Sequence, residues 1–190
     1  MAKLDITMLT RAADEALEVI ENPLHRQILE NYRRHAILET TANWEQIFTP
    51  DMTVEHPVYH VHGGGKTEIL DGRDAVMALY AGISQAGTTV MALEDEQIAV
   101  ADWGFASESV FNIYTPGRSV PDGDPDKLYI LRQGLAMVWP YDRRGRMIGE
   151  HTYPGSGELI EVQPEDFITL DEARQKLLPR LRPLPTLQQA

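Results

Sequence analysis

Phe48-Thr49-Pro50-Asp51-Met52-Thr53-Val54-Glu55-His56-Pro57-Val58 contains one helix end and one strand start. Phe48 closes an apolar set with Trp44 and Ile47, spaced for a short helix capped by Asn43. Thr49-Pro50-Asp51 ends it, because a proline ring fixes φ and disfavours a helical residue before it. Met52–Tyr59 then predicts a strand. The stretch divides the chain into helices before it and strands after it.

Upstream, Leu9, Ala13, Ala16, Leu17 and Ile20 recur at helical spacing, with Asp5 or Thr7 available as a cap. Asn22-Pro23 restarts the chain as a second helix running to about Thr41, since proline is tolerated at the first helical position. Leu24, Ile28, Tyr32 and Ala36 form its buried stripe. Downstream, Gly63-Gly64-Gly65 breaks the chain. Asp71-Gly72 leads into a helix with Val76, Leu79, Tyr80 and Ile83 on one face, stopped by Gly87. The pattern then becomes β: Thr88–Leu93, Ile98–Ala101, Phe105–Tyr114, Leu128–Pro140 and Arg146–Tyr153. Thr115–Asp126, polar and rich in Gly and Pro, predicts a mobile loop or a lid. A helix over Asp171–Leu178 precedes Pro179, Pro183 and Pro185. This order predicts an α+β fold, with N-terminal helices packed on one face of a curved, mainly antiparallel sheet. Residues 1–22 read as a helical extension, 23–154 as the domain, and 155–190 as a tail covering the domain or a partner subunit.

With 190 residues the chain is long enough for one domain and a sizeable core. Its net charge of −12 repels phosphate backbones and anionic membranes, which argues against nucleic-acid and membrane partners. It has no cysteine, so disulfides, thiolate nucleophiles and Cys-type zinc sites are all excluded. The first twenty residues carry Asp5, Asp14, Glu15 and Glu18 and lack the apolar run of a signal peptide. The expectation is a soluble, cytoplasmic protein.

Three segments together resemble the ketosteroid-isomerase-like branch, with its SnoaL-like polyketide cyclases, of the nuclear transport factor 2-like (NTF2-like) superfamily. Phe48–Val58 resembles that branch's aromatic-x-x-D-x-T-V-E-D-P-V stretch. Gly72-Arg73-Asp74 through Leu79-Tyr80 is similar to its G-R-x-x-I-x-x-F-Y helix, and Asp142–Tyr153 to its closing hairpin. The resemblance spans roughly Ile28–Tyr153. It implies a cone-shaped sheet around the helices, an apolar pocket, and isomerase, lyase (dehydratase) or cyclase chemistry without a cofactor. The oxyanion-stabilising tyrosine falls on Tyr32, its supporting tyrosine on Tyr80, and the carboxylate base on His56. The second oxyanion donor falls at about Met137, so half of the oxyanion hole differs, and the insert His60–Lys66 reshapes the pocket mouth.

Proton transfer beside a carbonyl needs a base poised near neutral pH and a donor aimed at the developing oxyanion. A histidine, with an ordinary pKa of about 6.5, suits the first role. The expectation is therefore a Tyr32/His56 acid–base pair supported by Tyr80, with Trp44, Tyr59 and Trp139 as apolar wall. Strand parity puts Gln133, Leu135, Met137 and Trp139 on one face. On the last strand, the faces carrying Glu150 and His151 are both open as sources of a second acid–base or binding group, with Glu150 ranked first and Glu108 below both. The substrate expected is small and hydrophobic, of polyketide, terpenoid or steroid type. Two rival readings stand beside this one. His56, His60, His62 and Glu68 could bind a metal, His-x-His placing two imidazoles on one strand face. Alternatively the fold serves as a non-catalytic binding or assembly domain. A homodimer with facing sheets is compatible with either function.

Overall fold

The computed structural model describes residues 3–185. Among them are four α-helices, α1 (Arg11–Val19), α2 (Pro23–Thr40), α3 (Arg73–Ala86) and α4 (Leu170–Leu177), and six strands. The strands are β1 (Thr53–Gly63), β2 (Lys66–Asp71), β3 (Met91–Ala101), β4 (Gly104–Pro116), β5 (Leu128–Pro140) and β6 (Met147–Val162). They form one open, mixed sheet in the order β2-β1-β6-β5-β4-β3, antiparallel except where β1 runs parallel to β6. No helix among the described residues is long and apolar enough to cross a membrane.

Local chemistry explains the helix starts. Asp5 accepts from the Thr7 amide ahead of a 3-10 turn, Ile6–Thr10, that leads into α1. Asn22 accepts from the amides of Leu24 and His25, with Pro23 in the first turn of α2. Gly87 ends α3 in the left-handed conformation, φ 72°, where a side chain would be strained. The Trp44–Phe48 segment is a 3-10 turn, and the Asn43 side chain bonds back to Thr41 instead of capping it.

Several strands depart from the expected bounds. β1 continues to Gly63, and the glycines turn a β1–β2 hairpin instead of ending the strand. The two short strands expected over residues 88–101 are one strand, interrupted by a bulge between Glu94 and Gln97 with Asp95 at φ 54°. β6 runs to Val162, so the boundary placed at residue 154 falls inside a strand paired with β5. The expected lid, residues 115–126, is tied down: Ser119 donates to the Ala86 carbonyl at the end of α3, and the Gly117 amide donates to the Lys127 carbonyl.

Two apolar clusters hold the layers together. One packs α2, α3 and the Trp44–Phe48 turn on the helix-facing side of the sheet, around Ile28, Tyr32, Phe48, Tyr80, Phe105 and Trp139. The other joins the Ile6–Thr10 turn, α2, α4 and the far ends of β4–β6 around Ile37, Tyr114, Ile130, Ile168 and Leu177. The N-terminal turn and the C-terminal helix are thus built into the domain. Residues 186–190 of the expected tail lie outside the described residues.

Candidate functional site

β-Strand side chains alternate between faces, so the inward face is set by any buried anchor. On β5 the anchors are Met137 and Trp139, buried against the helices, and with Leu131, Gln133 and Leu135 they form the wall of a cavity of about 460 Å³. This lies within the usual range for small-molecule sites, roughly 300–1,000 Å³. Phe111 and Ile113 from β4, Met91 from β3 and Ile83 from α3 complete an apolar enclosure. Glu39, at the end of α2, and Glu150, on β6, bring two carboxyl groups to it.

Glu150 faces inward because it pairs with Tyr59 across the parallel β1–β6 ladder, and Tyr59 is buried. Burial, and secondly the charge of Glu39, raise the Glu150 pKa well above the ordinary carboxyl value. A low-dielectric site does not readily accept two ionised carboxylates. Burial therefore favours the neutral, proton-bearing form of Glu150.

Glu39 belongs to a buried polar chain. Its Oε2 lies 3.3 Å from His35 Nε2, one helical turn away. His35 Nε2 is 2.9 Å from the Tyr80 hydroxyl, which is hydrogen-bonded to the Tyr59 hydroxyl at 3.1 Å. Tyr59 also approaches the Met147 sulfur at 3.5 Å. Trp139 packs edge-on against the His35 ring, with centroids 4.9 Å apart. Burial first, and Glu150 among the nearby charges, hold Tyr59 and Tyr80 well above the usual phenol range. They are donors throughout the neutral range.

The expected Tyr32/His56 pair does not form. His56 is exposed, with 69% of its side chain accessible, and its Nε2 lies 2.8 Å from Asp71 Oδ1. The reason is parity: Thr53, Pro57 and Tyr59 are the buried positions of β1, which turns His56 the other way. Tyr32 is buried, and its hydroxyl donates to Glu96 Oε1. His151 lies on the outer face, stacked on His60 at 4.2 Å, so it is not a wall of the cavity. Burial, then the neighbouring His60 and His62, lower its pKa. Tyr80 and Tyr59 sit behind the cavity in the polar chain, and Trp44 stacks on Tyr80. Of the nine residues expected, Glu150, Met137 and Trp139 line the enclosure.

The four residues proposed for a metal also diverge. His56 bonds Asp71, His60 stacks on His151, and His62 bonds Thr67 while stacking on Tyr153. Among the described residues, no group of three or more His, Asp or Glu side chains is placed to hold a metal ion.

Glu39, His35 and Glu96 were not found from the sequence. The first two carried a signal: Tyr32, His35 and Glu39 are three and four residues apart, so they share a helix face with the apolar stripe. Glu96 carried none. It sits in an acidic run, Glu94-Asp95-Glu96, that reads as exposed, and the extra residue of the bulge turns it inward.

No family model and no curated protein matches this chain. Solved structures do. A protein assigned as a SnoaL-like polyketide cyclase from Jannaschia sp. CCS1 superposes with a TM-score of 0.55 at 13% identity, covering 71% of this chain and 90% of that one. An NTF2-like protein from Anabaena variabilis gives 0.51 at 13% identity, covering 73% and 94%. A protein assigned as a polyketide cyclase from Xanthomonas campestris gives 0.50 at 16% identity, covering 68% and 91%. The fold is NTF2-like. Its SnoaL-like form, an α+β unit with helices on one face of a mixed sheet, is the one that the resemblance implied.

Proposed function

We propose that this NTF2-like chain is a small-molecule enzyme of the general acid–base type, an isomerase, dehydratase or cyclase acting on a hydrophobic, oxygen-bearing substrate. One observation carries the reading: two carboxyl groups, Glu39 and Glu150, face the same apolar cavity, and the environment of Glu150 favours its protonated form. A carboxyl group whose surroundings favour its neutral form is the usual mark of a general acid.

In the dehydration form of the reaction, Glu39 takes a proton from the carbon beside a carbonyl. Glu150 donates its proton to the departing hydroxyl, the C–O bond breaks, and water leaves. Glu39 ends protonated and Glu150 ionised, and exchange with solvent through the cavity restores both. Cyclisation uses the same pair, with Glu39 activating a nucleophilic hydroxyl or carbon and Glu150 protonating the acceptor oxygen. His35 Nε2 lies between the Tyr80 hydroxyl and Glu39 Oε2 and positions the end of α2 that carries Glu39.

The test is turnover on a panel of β-hydroxy ketones, epoxy alcohols and linear poly-β-ketones, with products read by mass spectrometry. Glu150→Gln and Glu39→Gln are each expected to lower kcat by roughly 10²–10⁴-fold, the worth of a positioned acid or base. Binding of an apolar fluorescent probe should persist in both. If both variants turn over substrate like the wild type, the catalytic reading is wrong. If probe binding alone is found, with no turnover on any of the panel, the protein is a carrier of the same fold.

A further inference from the structure

The inner sheet face holds a second group of polar atoms that this chemistry does not use. Ser107 and Ser109 are buried on β4, and neither hydroxyl has a hydrogen-bond partner. Glu96 comes level with them. The β3–β4 ladder pairs Ile98 with Ser107 and Gln97 with Glu108, so one further step brings Glu96 opposite Ser109. Tyr32 donates to Glu96 Oε1, but Oε2 is buried and unpartnered. Buried polar atoms without partners are uncommon, since each has given up its hydration for nothing. Three of them at adjoining positions mark a place built to hold something.

The three residues do not themselves line the cavity, but they stand one strand behind its wall. Leu135 and Met137 line the cavity wall, and they are the β5 partners of Ser109 and Ser107 respectively. Directly opposed strand residues hold their Cβ atoms roughly 5 Å apart. Met137 is unbranched with several rotatable bonds, so it can swing aside without moving the backbone.

We propose that Glu96, Ser107 and Ser109 form a polar subsite at one end of the cavity, taking a hydroxyl or carbonyl oxygen of the same substrate that Glu150 and Glu39 act upon. The substrate is then a hydrophobic molecule oxygenated at two separated positions. A hydroxyl suits the niche best, because the serines both donate and accept and Glu96 Oε2 accepts when ionised. No cationic side chain belongs to the niche, so it is not built for a carboxylate or phosphate. The identity of the substrate's reacting end rests on the acid–base reading above; the subsite itself is tested by binding alone.

Calorimetric titration with 4-phenylphenol and 4,4′-dihydroxybiphenyl separates the two ends. The wild type is expected to bind the diol about tenfold more tightly than the mono-ol, the difference one well-made hydrogen bond can supply. The Ser107→Ala/Ser109→Ala double variant should bring that ratio close to one while leaving 4-phenylphenol affinity unchanged. Removing two partnerless hydroxyls is not expected to unfold the protein, and Glu96→Gln, which keeps the side-chain volume, gives an independent reading of the same ratio. Glu150→Gln should weaken both phenols alike; failure of that result alone counts against the acid–base end and not against the subsite. Equal affinities in the wild type, no binding of either phenol, or a diol preference that survives the serine substitutions would overturn the subsite.

Discussion

Two carboxyl groups on one sheet face have their pKa values raised by burial, and this sets how stability depends on pH. Burial raises Glu96 from the ordinary 4.5 to about 7, against the opposing hydrogen bond from Tyr32. The folded protein therefore holds this proton more tightly than the unfolded chain does. That contribution is complete below the ordinary carboxyl pKa and is lost as pH rises through about 7. Stability is expected to fall across this window with a slope approaching about 1.4 kcal/mol per pH unit. Glu96→Gln should flatten that segment of a plot of urea midpoint against pH, and an unchanged slope would count against the assignment. Glu150, whose pKa burial also raises, adds a contribution of the same sign. Asp14 has the opposite sign. Its burial is outweighed by hydrogen bonds from Thr10 and Arg33 and by the charges of Arg33 and Arg182, so its pKa is lowered. Asp14→Asn should cost stability at neutral pH and progressively less as acid protonates the wild-type carboxyl. At this scale the sequence was legible wherever a single period sufficed: Tyr32 on the helix stripe, Met137 and Trp139 on one strand face. It misled at His56, where the likeness to a family motif points inward although alternation from Tyr59, three positions on, turns the imidazole outward.

The β3 bulge decides which side of the sheet Glu96 occupies. One extra residue in a strand reverses the facing of everything beyond it. Deleting Asp95 should join the Glu94–Val110 and Gln97–Glu108 pairs through one regular step, keep Glu96 opposite Ser109 and within reach of Tyr32, and leave the wild-type pH profile in place, whereas a profile flattened like that of Glu96→Gln would count against this register. Asp95→Gly should be tolerated, because φ of 54° suits glycine. Gly149 is a tighter constraint: a Cβ there would lie 1.9 Å from the Val58 carbonyl oxygen on β1. Gly149→Ala should destabilise by about 1–3 kcal/mol or more, read as a drop in urea midpoint. The order of helices and strands was readable because caps and proline stops are local signals. The length of β6 was not, since Pro154-Gly155-Ser156-Gly157 reads as a break. The strand survives it because pairing with β1 ends at Thr152, so Pro154 has a free edge there, and the β5 ladder shifts register at the same place.

Across the whole molecule, the segment after β6 closes the second apolar cluster and clamps the helices. Ile168, Ala173 and Leu177 are fully buried in it. Arg182 bonds Glu30 at 2.8 Å, and Arg33, Arg180 and Arg182 gather around Asp14. Truncation after Val162 is expected to remove about 3–6 kcal/mol through the loss of Ile168 and Leu177 burial alone, and to appear as a large fall in melting temperature. The parallel pairing of β1 with β6 has a different outcome, in time instead of energy. Helices and hairpins can form from neighbours in the chain, but this seam must wait until the last strand exists and has found the first. Tyr59 and Glu150 face each other across it. A refolding chain should accordingly recover most of its helical signal before it can bind an apolar probe, because the cavity wall that carries Glu150 is the last thing it assembles.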